Sequence, residues 1–445
     1  MKTSDPIILH IPDMLVEKLN TYLKEYPPTF KYDIMYFYYV VNYITIKYLR
    51  KKKDEEYICI NKKYLRDVTT SSIGSYIKLL EEGGFIISDG KYLSGEKSLW
   101  YKLNPEYLKG NRCVIKVYPD TKLFKKTMQK LRNRKAHYNR LEPFLKAMKD
   151  EFMQVDLNYE EAYKWIGNNV EDANKLYHIV SLSQLKDKRF RYFKRNKTNK
   201  RLDTNFTNLK TELRYFIKGD YVNIDLKNSQ PFFLSQLILN IIQTIRGLPL
   251  CCYLDGKRIS SSFGIKALQK ILLIHQNSKK SNMVNLRKFS NSVIKGTLYE
   301  DFVSYYPESI KRDRAKEIMF MVLFSQNTSD RKYRSFIPYE KEKIIFAEVF
   351  PFVYEVVKML KPKKKHSLLA ISLQRLESYI FIDLVAKRLV EDGIIPITIH
   401  DSVIVKATDE VKALEIMKNI FLANFGVIPT FKVEELGGMS NKSQS

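Results

Sequence analysis

Two short apolar runs, each closing on an aspartate, restrict what this chain can fold into more than any other feature. In GDYVNIDLKNSQPFFLSQLIL a strand is expected from Tyr221 to Leu226, with Asn228 or Ser229 capping a following helix and Pro231 in its first turn. That helix carries Phe232, Phe233, Leu234, Leu237, Ile238 and Ile241, so it is apolar nearly all round and belongs behind a sheet. In IIPITIHDSVIV two apolar strands, Ile395 to Ile399 and Val403 to Val405, meet at a tight turn of His400, Asp401 and Ser402. Alone, either aspartate is an ordinary turn or cap residue, because Asp favours local hydrogen bonds there. Together they describe a sheet with carboxylates crowning two strands. Two aspartates on adjacent strands can bridge a pair of divalent ions about 3.5 to 4 Å apart, the arrangement phosphoryl transfer uses. Carboxylate oxygens are the hard ligands magnesium prefers.

Charge names the kind of partner. The 445 residues include 76 Lys and Arg against 49 Asp and Glu, a formal net charge of +27, which suits a polyanion and not a neutral small molecule. A content of 44% apolar residues is that of a globular protein with several cores. An anionic membrane would call for an amphipathic anchor or an apolar span of roughly 20 residues, and neither is found. The opening MKTSDPIILHIPDML has no sustained apolar run, so no signal peptide is expected and a cytoplasmic location follows. Cys59, Cys113, Cys251 and Cys252 are too scattered for a disulfide framework or a zinc site, and are expected to be small buried apolar residues.

The N-terminal region, residues 1–120, predicts an aromatic-rich helix from Asp33 to Leu49, a strand at YICI, a short helix in NKKYLRDV and a second in SSIGSYIKLLEE, where Ile73, Ile77 and Leu80 share a face. FIIS and LWYKL then predict two strands joined by the basic loop DGKYLSGEKS. This order resembles a winged helix-turn-helix, which implies a helix offered to duplex DNA. From Thr121 to about Leu185 the pattern is helical and strongly charged, after which KDKRFRYFKRNKTNKR runs from Lys186 to Arg201, where Phe190, Tyr192 and Phe193 alternate with charge as in a strand with one wet face. Lys194, Arg195, Lys197 and Lys200 of this run are candidate phosphate contacts.

Between the two acid-bearing runs lies PESIKRDRAKEIMFMVLFSQN, a helix candidate with Arg312 and Lys316 one turn apart, Phe320 a turn further and Phe324 continuing the stripe. Cations spaced about 6 Å along a helix suit a triphosphate, which an arginine holds bidentately while a lysine neutralises a neighbouring oxygen. The two rings offer a surface for base and sugar.

In this order the motifs resemble those of family A (Pol I-like) DNA polymerases and of the single-subunit phage and mitochondrial RNA polymerases, over roughly Arg201 to Leu436. The resemblance implies that Asp225 and Asp401 are metal-binding acids, that Arg312 and Lys316 are the Arg-x3-Lys of the fingers helix, and that His400 positions the primer end. Lys316 would supply a proton to pyrophosphate. RLDTNFTNL is similar to the family's segment near the primer duplex, which maps Arg201, Thr204 and Asn208, and SLQRLES maps Gln374 near the primer-template minor groove. Departures bear on sugar choice. Ser402 stands where the DNA enzymes have Glu, Phe324-Ser325 replaces Tyr-Gly, and Gln230 occupies the fifth position after Asp225, where those enzymes carry a ribose-excluding Glu. A two-residue shift would instead make Phe232 the gate; both alignments stand.

The architecture these motifs imply is an α+β right hand: palm at 201–240 and 366–436, fingers at 241–365, a thumb-like region at 121–200, a winged-helix-like domain ahead, and a frayed tail at 437–445. No room is expected for a proofreading exonuclease. The implied activity is DNA-directed DNA polymerase, a nucleotidyltransferase, with a primase or RNA polymerase next and a non-enzymatic replication initiator as the rival from another class. The implied cofactor is two Mg2+ ions, with Mn2+ able to substitute. The implied partners are a DNA primer-template, nucleoside triphosphates and specific duplex DNA at the winged helix.

Overall fold

The computed structural model describes residues 5–49, 56–91, 99–108, 112–132, 140–245, 253–254, 257–258, 265–277, 279–306, 310–331, 334–361 and 366–437. The fold is mixed α+β. It divides into two compact units, one formed by Met1–Glu142, Asp156–Tyr192 and Asn208–Phe216, the other by Pro143–Val155, Phe193–Thr207 and Ile217–Ser445.

In the first unit the helix Ile34–Leu49 begins beside Asp33, whose carboxylate accepts from the Met35 N–H at 2.9 Å. Asn61 caps the helix Lys62–Val68 in the same way, through the Tyr64 N–H at 2.9 Å. The helix Ile73–Glu82 buries Ile73, Tyr76, Ile77 and Leu80, and the chain leaves it through Gly84 at φ 70°, a conformation that suits a residue without Cβ. Strands Ile86–Ser88 and Trp100–Leu103 then pair antiparallel, with Ile58–Cys59 on the other side of Trp100–Leu103. The expected succession of two helices and two strands is present, while loop residues 92–98 lie outside the described residues. A further antiparallel pair, Ile7–Pro12 with Arg112–Val117, had no sequence signal strong enough to predict it.

Two expectations need correction. Cys59 is exposed, because its two-residue strand turns only Ile58 inward; Cys251 and Cys252 lie outside the described residues. The basic run is no continuous strand, since Asp187 caps a 3₁₀ turn over Lys188–Phe190 by accepting from the Arg189 N–H at 3.0 Å, and Phe190 packs on the first unit's core.

In the second unit we number β1 (Phe193–Arg195), β2 (Leu202–Thr204), β3 (Tyr221–Leu226), β4 (Ile397–Ile399), β5 (Ser402–Lys406) and β6 (Phe431–Leu436). Among its helices we number α1 (Ser229–Ile245), α2 (Arg312–Phe324), α3 (Glu340–Val349), α4 (Pro351–Leu360) and α5 (Ser367–Ser378). α5 runs on into a π-helical stretch, Tyr379–Ala386. The main sheet has the order β4-β5-β3-β6, all neighbours antiparallel. Period-two alternation in β3 sends Val222, Ile224 and Leu226 into a core shared with Val403, Val405 and the rings of Phe232 and Phe233 on α1. α1 is buried behind the sheet, as its apolar circumference requires.

The chain is tightly specified where it leaves β3. Lys227 N–H donates to Thr430 O at 3.1 Å, and Asn228 at φ 56° turns the backbone into α1. Gly296, at φ 73°, passes so close that a Cβ there would lie 2.7 Å from Lys227 Cδ.

Candidate active site

The register of the sheet brings the two aspartates together. Asp225 on β3 stands directly opposite Ser402 on β5, and Leu226 N–H donates to Asp401 O at 3.1 Å. Ile399 pairs with Ser402, which leaves His400 and Asp401 as a two-residue turn. His400 takes φ 54°, a left-handed conformation in which histidine is among the better-tolerated side chains. On the other side of β3, Asp225 faces Lys432 of β6.

These acids are crowded. Burial pushes the Asp225 carboxyl up to about 6; Glu434 and Glu377 add to the rise while Lys432 and Lys316 oppose it. Asp401 is pushed well above the usual carboxylate range, first by burial, then by Glu377 and Asp225, against the pull of a backbone hydrogen bond and Arg201. A divalent cation would relieve this like-charge repulsion, so the oxygen donors present fit magnesium or manganese. Among the described residues no group of three or more His, Cys, Asp and Glu side chains is arranged to hold a metal ion; the acids at the turn form a pair.

Glu377, on α5, is the functional candidate that motif reading missed. Its side chain is wholly buried. Oε1 accepts from Arg201 Nε at 2.8 Å, and Oε2 accepts from Ser229 Oγ at 2.9 Å and from Gln230 Nε2. Glu377 thus ties Arg201 to the first turn of α1, four and five residues beyond Asp225. The signal for it was there: Leu369, Leu373, Leu376 and Ile380 mark the buried face of this helix, and an acid on that face needs a buried partner.

The hairpin of β1 and β2 is held along the same helix. Gln374 Oε1 accepts from Asn199 Nδ2 at 3.2 Å, Arg375 Nε donates to Thr198 O at 2.7 Å and Ser378 Oγ donates to Lys200 O. Arg195 lies bidentate on Asp383 of the π stretch, so its guanidinium is committed inside the protein. Lys194 and Lys197 are exposed and Lys200 is half-buried, so of the four candidate phosphate contacts these three lysines are not held, among the described residues, by a carboxylate as Arg195 is. Thr204 is buried and exchanges hydrogen bonds with Thr207, at 2.9 and 3.1 Å. Asn208, in the other unit, donates to the Tyr192 hydroxyl.

On α2, Arg312 is exposed and its Nε reaches Glu300 Oε1 at 2.7 Å. Lys316 is exposed on the same helix and within electrostatic reach of Asp225. Phe320 and Phe324 stack with centroids 5.5 Å apart. Phe232 is fully buried against Phe233, Phe421 and Phe425, so of the two gate candidates only Gln230 stands beside the acids' buried neighbour.

No protein-family model matches the chain. No curated protein matches it either. Solved structures do match, among them the POL domain of Pol1 from M. smegmatis in complex with DNA primer-template and dNTP, at 11% identity and a TM-score of 0.30. That match covers 61% of this chain and 54% of the other, so the chain spans about half the length of the domain it is similar to. The likeness is weak in sequence and in shape.

Proposed function

We propose that the second unit is a template-directed nucleotidyltransferase, extending a DNA primer on a DNA template from nucleoside triphosphates. The observation that carries this reading is the placing of Asp225 on β3 beside Asp401 in the turn that leads into the antiparallel neighbour β5, both held above their ordinary pKa by burial and by other acids. Acids so arranged in a chain of net charge +27 repel the polyanion that the rest of the surface attracts, unless they serve cations.

In this reading the main sheet is a palm, α2 belongs to the fingers, and the N-terminal helices and strands are a winged-helix-like DNA-binding domain. Asp225 and Asp401 would hold the divalent ions. Bound there, two magnesium ions supply acidification of the attacking 3′ hydroxyl and charge neutralisation at the leaving pyrophosphate. Arg312, once released from Glu300, and Lys316 grip the triphosphate, and Lys316 would supply a proton to the leaving pyrophosphate. His400 braces the primer end beside Asp401. Phe320 and Phe324 pack against base and sugar. Glu377 fixes Gln230 and Arg201 and so holds the turn that follows Asp225.

The test is a primed template incubated with Mg2+ and either dNTPs or rNTPs, with products resolved by length. Extension with dNTPs is expected; extension only with rNTPs would move the activity to a primase or RNA polymerase. DNA binding without extension would leave a non-enzymatic initiator.

Two further outcomes follow. Neutralising Lys194, Lys197 and Lys200 to glutamine should weaken DNA binding at every sequence and flatten its salt dependence by about 0.9 in log–log slope for each phosphate no longer neutralised. Adding Arg195→Gln should leave that slope where it is, because Arg195 is occupied by Asp383. The second concerns sugar choice. The wild-type ratio of kcat/KM for dATP over ATP should fall short of about 10⁴, equivalent to about 5.4 kcal/mol, since Gln230 replaces a ribose-excluding acid. Phe232→Ala should leave the ratio unmoved while destabilising the fold by about 3 to 5 kcal/mol. A ratio that collapses in Phe232→Ala would return the gate to that ring.

A further inference from the structure

α2 ends in an unusual way. Lys343 on α3 and Lys361 just after α4 are each only 2% exposed, and among the described residues neither meets a carboxylate within ion-pair distance. Both ammonium groups instead point at the last carbonyls of α2 and the chain just beyond. Lys361 Nζ donates to Val322 O and to Ser325 O, the latter at 3.0 Å, and Lys343 Nζ donates to Gln326 O. Asn327 returns the grip, donating to Lys358 O at 2.8 Å and Lys361 O at 2.9 Å.

A helix C-terminus favours cations, because its unpaired carbonyls carry the negative end of the dipole. An exposed lysine or a glycine would serve that purpose at less expense than two buried like charges, whose desolvation the protein must offset. What two buried ammonium groups supply beyond a cap is rigidity, since they fix three carbonyl oxygens from two other helices at once. We propose that Lys343 and Lys361 are positioning residues that lock the C-terminal end of α2, and through it the orientation of Arg312, Lys316, Phe320 and Phe324 toward the aspartate pair. The proposal rests on the reading of α2 as the triphosphate-binding helix.

The lock is titratable. Burial, with Lys343 nearby, brings the Lys361 amine down to about 7, and burial also lowers Lys343. From α2 and the chain just beyond, Lys361 meets the carbonyls of Val322 and Ser325; the charged group that acts on it is Lys343 of α3, and on α4 the neighbouring Lys358 is held by Glu355. As pH rises through about 7, Lys361 loses its charge and with it the stronger hold on the carbonyls.

The experiment compares wild type with Lys361→Met, Lys343→Met and Lys361→Gln, the last retaining an uncharged N–H donor group. Amide exchange in the last turn of α2 is expected to quicken by about tenfold or more in the methionine variants and less in Lys361→Gln, with the β3 and β5 amides unchanged. The KM for nucleotide should rise about tenfold with kcat within about threefold. In wild type KM should climb from about pH 6 to about pH 8, and in Lys361→Met this climb should be absent. If one methionine variant fails to fold, the other and Lys361→Gln carry the test. Unchanged exchange, or faster exchange with an unmoved KM, would overturn the lock while leaving the polymerase reading intact. A wild type that extends no primer overturns the reading, and the positioning role with it.

Discussion

Asp225→Asn and Asp401→Asn are each expected to lower primer extension by at least about 10³-fold while raising stability in metal-free buffer. The first effect follows because an amide offers a divalent ion one neutral oxygen where a carboxylate offers two charged ones, and a 10³-fold loss corresponds to about 4 kcal/mol of transition-state stabilisation. The second follows from the raised acidities. Asp225 titrates at about 6 in the fold against 3.8 ordinarily, so between those values the folded protein binds more protons than the unfolded chain, and stability falls as pH rises through this window. Above it the full penalty stands, at most roughly 3 kcal/mol and less for the part of the carboxylate that water reaches. Asp401 shifts in the same direction. The Asn variants lack their share of this slope, so thermal unfolding at neutral pH should occur a few degrees higher, and addition of Mg2+ should stabilise wild type more than either variant. Extension retained by either variant would remove both residues from the chemistry.

Glu377→Ala is expected to cost about 3 to 5 kcal/mol, the range for breaking a buried ion pair from one side. It would leave the Arg201 guanidinium, the Ser229 hydroxyl and the Gln230 amide facing an empty space inside the fold. Glu377→Gln keeps the shape and an acceptor, so its loss should be smaller. Because Glu377 is the leading charge that raises Asp401, the same variant should also make the decline of stability with pH shallower. Denaturant midpoints across pH measure both effects; a loss under about 1 kcal/mol in Glu377→Ala would mean that the cluster contributes little to the fold.

The acid pair was legible in the sequence because strand periodicity and turn chemistry are local. Tyr221 to Leu226 alternates, α1 is apolar all round, and the IHDS turn carries its polar residues between two apolar runs. Register is not local, so the sequence could not say that Ser402 lies opposite Asp225 or that Lys432 flanks it on the other side. The partners of Arg195 and Arg201 were illegible for the same reason: Asp383 and Glu377 are distant in the chain, and a basic run looks the same whether its charges face solvent or a buried acid. Phe190 was misread because a single capping aspartate, Asp187, overrode the alternation around it. Lys343 and Lys361 gave no signal at all, since nothing in a lysine-rich sequence distinguishes the two that are buried.

The π stretch over Tyr379–Ala386 has a consequence for descent. A π turn closes its hydrogen bond over one residue more than an α turn, so a helix with such a stretch accommodates an extra residue without opening a loop. Insertions elsewhere gather in loops, where they disturb little; here the wide stretch begins just after Ser378, which holds the hairpin at Lys200, and includes Asp383, which holds it at Arg195. Related chains whose helix lacks the wide turn would keep the same side chains at these positions in space yet stand one place out of step along the sequence from Gln374 to Asp401. Common ancestry across this stretch would then be concealed by a shift of frame, with every interacting residue still in place.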